Sequence, residues 1–237
     1  MKLMVIHGEY SPSELELRRN WVLEAASPET QVTFDHISGN VPESVRSISS
    51  ELLSMLAGPQ VVKKAQEAQE GGFDAVLPYG GLDLGVEAAR YEVDIPVVGM
   101  FRNGFCLAAH LATRIAVIIY DSSMIPDTWK YIRQIGLTDF VTSIRGADIR
   151  LKDMNAQRDL VKERLVELGR QAVAEEDAEI ILPRGTTFVP TQRLANEVGD
   201  ELGVPVISLV AAGVKTAEML VSLGLHNSRM AYPAPLR

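Results

Sequence analysis

The sequence predicts an α/β protein made of two similar lobes, each a mainly parallel sheet flanked by helices. Three observations lead there. Short apolar runs alternate with longer amphipathic segments, one half of the chain echoes the other, and the composition supplies a full core. At 237 residues, 46% hydrophobic and 23% charged, the chain can form one large or two half-size domains.

The apolar runs Leu3–Ile6, Val32–Ile37, Ala75–Pro78, Ile95–Gly99, Ile115–Tyr120, Ile180–Pro183 and Val204–Leu209 read as strands, because each is short and bounded by polar or turn residues. Between them, Ser47–Ala68, Gly85–Tyr91, Gly104–Ala112, Ala156–Ala174 and Gln192–Leu202 carry apolar residues at helical spacing. The echo pairs Lys2–Ile6 and Glu9 with Arg114–Ile118 and Asp121, and Phe73–Gly81 with Asp177–Thr186. Each half then has a helix and a further apolar run, Asp94–Gly99 in one and Gly203–Ser208 in the other. Residues 1–100 with 210–237 are expected to form one lobe and 101–209 the other, with no Gly/Ser/Pro linker between them. The carboxyl ends of their strands would face a shared cleft, where open α/β sheets hold ligands. That places His7-Gly8-Glu9-Tyr10, Tyr79-Gly80-Gly81, Arg102-Asn103, Tyr120-Asp121-Ser122-Ser123 and Arg184-Gly185-Thr186-Thr187 around it.

Composition excludes several functions. Lys and Arg number 23 against 31 Asp and Glu, a net charge of −8 with no basic run, which argues against nucleic acid as a partner. The first apolar stretch, Leu3–Ile6, is too short for a membrane span or a secretory core, so a cytoplasmic protein with no membrane partner is expected. A single cysteine, Cys106, rules out an internal disulfide and any mechanism needing two thiols from one chain. The four histidines, His7, His36, His110 and His226, show no metal-ligand spacing, and neither a Walker loop nor G-x-G-x-x-G occurs. A site with neither metal nor cofactor is the simplest expectation.

Four segments in chain order resemble the aspartate/glutamate/hydantoin racemase superfamily, which also holds arylmalonate decarboxylases and maleate isomerases. Asp83-Leu84-Gly85-Val86-Glu87-Ala88-Ala89-Arg90 is similar to the family's D-P-G-L-D-A-A-R, and Ser143-Ile144-Arg145-Gly146-Ala147-Asp148 to S-V-R-A-I-D. Gly203–Ile207 continuing through Ala211–Lys215 resembles G-V-P-V-I-D-x-V-A-A-A-V-K, and Gly224–Arg229 with Ala231-Tyr232-Pro233 resembles the hydantoin-racemase C-terminus. The resemblance implies two flavodoxin-like lobes related by approximate twofold symmetry, an active-site cleft between them, and homo-oligomers. It also implies one cysteine per lobe, one thiolate taking the substrate's α-proton while the other thiol returns it. Here Gly80 occupies the first position and Gly185 or Thr186 the second. Cys106 lies in the apolar Gly104–Ala112 segment, where it is expected as buried filler.

With no thiol pair, the resemblance implies a cofactor-independent enzyme acting on a small carboxylate, ureido or cyclic imide-like substrate by isomerisation, decarboxylation, elimination or hydrolysis. A racemase using other bases is the alternative, and a non-catalytic small-molecule binder the alternative of another class. The Gly80-Gly81 and Gly185-Thr186-Thr187 turns can present backbone N–H groups, and the threonines hydroxyls, to an enolate or oxyanion. Equally, the glycines can serve only tight turns, with Thr187 capping a helix. His7 and Glu9 stand where hydantoin racemases carry an N-P-N turn, and can form a base with an orienting partner. Otherwise they are a satisfied histidine and a solvated glutamate. Asp121 echoes Glu9, yet suits a helix N-cap as well, together with Ser122 or Ser123. Tyr79 and Arg184 occupy matched positions: Tyr79 donates to an enolate or packs in the core, Arg184 clamps a carboxylate or forms an outward salt bridge. Tyr120 and Ser122 complete the expected lining. Asp83 is expected to cap a helix.

Overall fold

The computed structural model describes residues 1–38, 50–150 and 154–234. The first three residues of the expected Ser47–Ala68 helix lie outside them. Two compact units emerge: the described residues of Met1–Arg46, Ser50–Asn103 and Val210–Arg237 form one, and those of Gly104–Leu209 the other.

In the first unit, β1 (Lys2–His7) lies between β2 (Gln31–His36) and β3 (Ala75–Pro78), all parallel. Its helices are α1 (Pro12–Ala25), α2 (Ser50–Glu70), α3 (Val86–Glu92) and the start of α4 (Met100–Leu111). The second unit repeats the plan, with β4 (Ile115–Ile119) between β5 (Val141–Gly146) and β6 (Ile180–Arg184). Its helices are the rest of α4, α5 (Ile125–Gln134), α6 (Arg158–Glu176) and α7 (Gln192–Leu202); α8 (Leu209–Ser222) leads back to the first unit.

The central strands are continuous apolar runs because both of their faces are covered. Every residue of β4 is fully buried, as are Leu3 and Val5 of β1. Around them, Val61, Ala65 and Ala68 of α2 pack with Val76, Val86 and Ala89 in the first unit, and Val161, Leu165 and Ala172 of α6 with Ile118, Ile181 and Ala195 in the second. Burial of such aliphatic side chains is the main favourable term for either unit, at about 25 cal/mol per Å² of apolar surface.

Register fixes the correspondence between halves. Ile6 pairs with Pro78 as Ile118 pairs with Pro183, so Gly80 matches Gly185 and Gly81 matches Thr186.

Two expected strands shrink to single bridged residues. Val97 is held against Val76 by Val76 N–H to Pro96 O and Val98 N–H to Val76 O, both 2.9 Å, and Val206 bridges Ile181 in the same way. Pro96 and Pro205 lack an N–H to extend the ladder, and helices start at Met100 and Leu209. The apolar runs and helical spacings read from the sequence did not include α1, whose cap is Ser11 with Pro12 at the first turn, α5, α8, or β5, whose residues are all half-buried.

Candidate active site

The first unit delivers His7 at the carboxyl end of β1, fully buried. Its ring stacks on Phe34 of β2 at 5.5 Å between centroids, tilts against Tyr79 at 4.6 Å and meets Tyr10 edge-on at 6.4 Å. Neither ring nitrogen has a hydrogen-bond partner. Burial in this aromatic box, reinforced by the nearby Arg19 and Arg18 guanidiniums, lowers its pKa to about 3, so the imidazole is neutral at pH 7. Arg18 stacks on Tyr10 at 4.1 Å and Arg19 lies over Phe34 at 5.3 Å, so α1 brings both cations to the same aromatic cluster. Glu9 is exposed, and no hydrogen bond joins it to His7. The expected base with a hydrogen-bonded orienting carboxylate is therefore not formed.

Tyr79 is buried, its backbone N–H donating to Ile6 O at 2.8 Å, so it packs in the core beside His7. Gly80 follows with φ of 150°, and a Cβ built there would meet nothing within 4 Å. Gly185 in the second unit has φ of 155°, and its Cβ would lie 3.4 Å from the Tyr120 ring. Such dihedrals are essentially confined to glycine, so both turns need it whatever else the site does.

Asp83 extends the first turn. It adopts φ of 51° and accepts the N–H of Phe101 at 3.0 Å and of Arg102 at 2.8 Å. It caps α4, reached through space, whereas α3 next to it in sequence starts at Gly85 without a side-chain cap. A Cβ on Gly99 would fall 2.7 Å from the Asp83 carboxyl carbon, which explains the glycine there. Arg102 and Asn103 have other commitments, Arg102 to Glu87 at 2.8 Å and the Asn103 amide to Gly99 O at 2.7 Å.

In the second unit, Asp121 accepts the Ser123 N–H at 2.9 Å and its hydroxyl at 2.7 Å, capping the 3-10 turn Ser122–Met124. Ser122 in turn donates its N–H to Asp148 at 2.9 Å, and this bond, with one from the Ser122 hydroxyl, holds the Asp148 carboxyl below the usual carboxylate range. Asp148 sits at φ of 55°, while Gly146 faces Ser122 so closely that an added Cβ would lie 2.8 Å from the serine Cα. Asp148 was visible only as part of a motif; its role depends on a turn that brings β5 against the end of β4.

Arg184 is 1% exposed, the charged residue where the first unit has Tyr79. Its guanidinium reaches inward to the Thr128 hydroxyl, to Asp127 at 3.6 Å and to the Tyr131 ring at 5.7 Å, all on α5. The expectation of an outward salt bridge is corrected: α5 covers the end of β6 and supplies buried partners. Thr186 and Thr187 are buried in a turn closed by Phe188 N–H to Gly185 O at 3.1 Å. The cap of α7 is Thr191, which accepts from Leu194 N–H at 3.3 Å, and not Thr187. A turn and Pro190 separate Thr187 from the helix. The Thr187 carbonyl accepts from Arg158 instead.

Cys106 is exposed, contrary to the expectation of a buried side chain. The buried stripe of α4 runs through Phe101, Phe105 and Ala108, so the residue after Phe105 faces outward. Among the described residues, no group of three or more His, Cys, Asp or Glu side chains could hold a metal ion, and no helix is long and apolar enough to cross a membrane.

The Asp/Glu/hydantoin racemase family model matches residues 19–217. A hydantoin racemase of Pseudomonas sp. (strain NS671) is 31% identical over 231 residues, covering 97% of this chain and 90% of its own. A second, from Paenarthrobacter aurescens, is 31% identical over 233 residues, covering 97% and 94%. Solved structures share the fold. Allantoin racemase from Klebsiella pneumoniae has a TM-score of 0.87 at 24% identity, covering 100% of this chain and 94% of that one. Maleate isomerase from Pseudomonas putida S16 has a TM-score of 0.62 at 18% identity, covering 95% and 93%. With the motifs in order and the family model spanning both units, this chain belongs to the Asp/Glu/hydantoin racemase family.

Proposed function

We propose that this chain is a cofactor-independent enzyme that moves a proton at a carbon beside a carbonyl of a small ureido, cyclic imide-like or carboxylate substrate, without a thiol pair. The observation that carries the reading is the correspondence of Gly80 with Gly185, at φ of 150° and 155° immediately beyond equivalent strand ends. Both halves thus keep the tight turn whose N–H groups can stabilise an oxyanion, and neither has a cysteine there. The lone thiol is exposed on α4.

The chemistry follows from what these groups can do. A carboxylate takes the proton from carbon, and the C–H electron pair passes to the carbonyl oxygen. Returning the proton restores the carbonyl. Glu9, exposed and uncommitted to His7, is the first proton acceptor, and Asp121 the corresponding carboxylate of the second unit, although it also caps its own turn. In the second unit Thr186 and the Thr187 amide serve as oxyanion donors, and in the first unit the Gly81 amide does. His7, with a pKa of about 3, is too weak a base to remove a carbon-bound proton, but a neutral imidazole remains a competent hydrogen-bond donor. Tyr79, Gly80, Tyr120, Ser122, Arg184 and Gly185 shape and bind.

A second reading, racemisation with non-cysteine bases, draws on the two relatives named hydantoin racemases at 31% identity. Replacing Glu9 by Gln and His7 by Asn, separately, tests the residue roles on 5-substituted hydantoins and allantoin. Each variant should keep its circular dichroism spectrum and lose turnover, Glu9→Gln by roughly 10²- to 10⁴-fold. Full activity in both would show that the roles are misassigned.

A further inference from the structure

The buried charge at the end of β6 is not demanded by the fold. Arg184 is 1% exposed, whereas the matched position after Pro78 in the first unit is Tyr79, which carries no charge. A buried ion pair is often no more stabilising than an apolar pair of similar size, so stability alone does not account for it.

What Arg184 holds is the neighbouring loop. Its guanidinium donates to the Thr128 hydroxyl and lies 3.6 Å from the Asp127 carboxylate, both in the first turn of α5. Thr128 is fully buried, and its hydroxyl extends the contact by donating to Met124 O at 2.7 Å. Met124 is the N-cap residue of α5, and its own N–H donates to Asp121 O at 3.0 Å. Hydrogen bonds thus run without a break from Arg184 to the backbone of Asp121, whose carboxylate caps the same turn. In the other direction Arg184 is followed by Gly185, whose carbonyl closes the turn that holds Thr186 and Thr187. Ladder pairing between β4 and β6 ends at Ile119 and Arg184, and beyond that point this buried chain ties one loop to the other. A threonine hydroxyl can accept and donate at once, and here it does both; valine has the same shape and does neither.

Resting on the proton-transfer reading above, we propose that Thr128 and Arg184 are positioning residues for the second unit's part of the reaction. They fix the turn after β6, with Thr186 and the Thr187 amide, against the turn after β4, with the Asp121 carboxylate. Oxyanion donors act only where charge develops, so a displaced turn slows the chemistry and leaves substrate binding nearly as it was. An arginine that clamped a substrate carboxylate would move KM instead.

The test follows deuterium incorporation at C5 of a 5-substituted hydantoin in D₂O over a range of substrate concentrations, so that kcat and KM separate. Each variant of the full chain is first shown to be folded at the assay temperature by circular dichroism. Thr128→Val should lower kcat by about tenfold or more with KM within about twofold of wild type. Thr128→Ser, which keeps the hydroxyl, should recover most of the rate. Ile180→Val, at the fully buried amino end of β6, is the control for lost stability and should leave kcat unchanged. Should Thr128→Val not fold, Arg184→Lys takes its place with the same expected split, since it keeps a charge beside Asp127 without the planar fork. Wild-type kcat in the folded variant, a loss confined to KM, or an equal loss of kcat in Thr128→Ser or Ile180→Val would overturn the positioning role while leaving the proposed chemistry standing. If the wild-type protein incorporates no deuterium into 5-substituted hydantoins or allantoin, the proposed function falls, and the positioning role with it.

Discussion

The Asp83 carboxylate accepts the backbone N–H of Phe101 at 3.0 Å and of Arg102 at 2.8 Å, tying the turn after β3 to the first turn of α4. The Gly80-Gly81 turn lies in the short segment between β3 and that tie, anchored at both ends.

Asp83→Ala removes both bonds and places a Cβ-bearing apolar residue at φ of 51°. A lost cap costs about 1–2 kcal/mol, and the left-handed backbone adds about 1 kcal/mol for alanine. Asp83→Gly incurs chiefly the first cost, and Asp83→Asn keeps one acceptor. Urea unfolding should rank the losses Ala above Gly above Asn; equal losses would mean that the cap is energetically idle.

Acid should destabilise the protein through His7. Its folded pKa of about 3 lies below the unfolded value of 6.5, so the unfolded chain binds the extra proton. Stability is then complete above pH 6.5 and falls as pH drops from there towards 3, by up to roughly 5 kcal/mol. Glu218 adds to this at lower pH. Burial pushes its pKa up, but Lys215, the Ser27 backbone and hydroxyl, and the Thr30 hydroxyl outweigh that and hold it at about 2. Its contribution is present above the ordinary glutamate range and is lost as pH falls through 2. Denaturant titrations at pH 7.5 and 5 should show the drop in the wild type and not in His7→Asn. An identical drop in both would place its origin elsewhere.

Gly146→Ala should disturb the end of β4, since the new Cβ would lie 2.8 Å from the Ser122 Cα, a backbone atom that cannot rotate away. Overpacking of this kind costs typically about 1–3 kcal/mol. Because Ser122 carries the Asp121 turn, turnover should fall by more than stability explains. A variant with unchanged turnover would remove this turn from the site.

Arg184→Met should be costly although it is apolar and of similar length, because Asp127 and the Thr128 hydroxyl lose a buried partner. Breaking such a pair from one side costs about 3–5 kcal/mol. Arg184→Met with Asp127→Leu should recover part of that loss in urea unfolding; strict additivity would show that the two do not interact.

The sheet cores were legible in the sequence because central parallel strands are covered on both faces and must be apolar throughout, as in Ile115–Ile119. Strand β5 was not, since its half-buried Thr142, Ser143 and Arg145 break any apolar run. The matched glycine turns were legible as a repeat, and pairing of Pro78 with Ile6 and of Pro183 with Ile118 gives Gly80 and Gly185 the same place beyond their strands. His7 was legible as the residue at the end of β1, but its environment was not: Phe34, Arg18 and Arg19 reach it from β2 and from α1, whose helix the reading of apolar spacing passed over. Cys106 was placed on the right helix and the wrong face, because one register step separates it from the buried Phe105.

The central claim is proton transfer at carbon without a thiol pair, and the most direct measurement is solvent deuterium incorporation at C5 of a single enantiomer of a 5-substituted hydantoin, by the Cys106→Ser protein in D₂O. The account predicts incorporation at the wild-type rate, since the proton acceptors are carboxylates and not the thiol. Disappearance of incorporation with the thiol would contradict it.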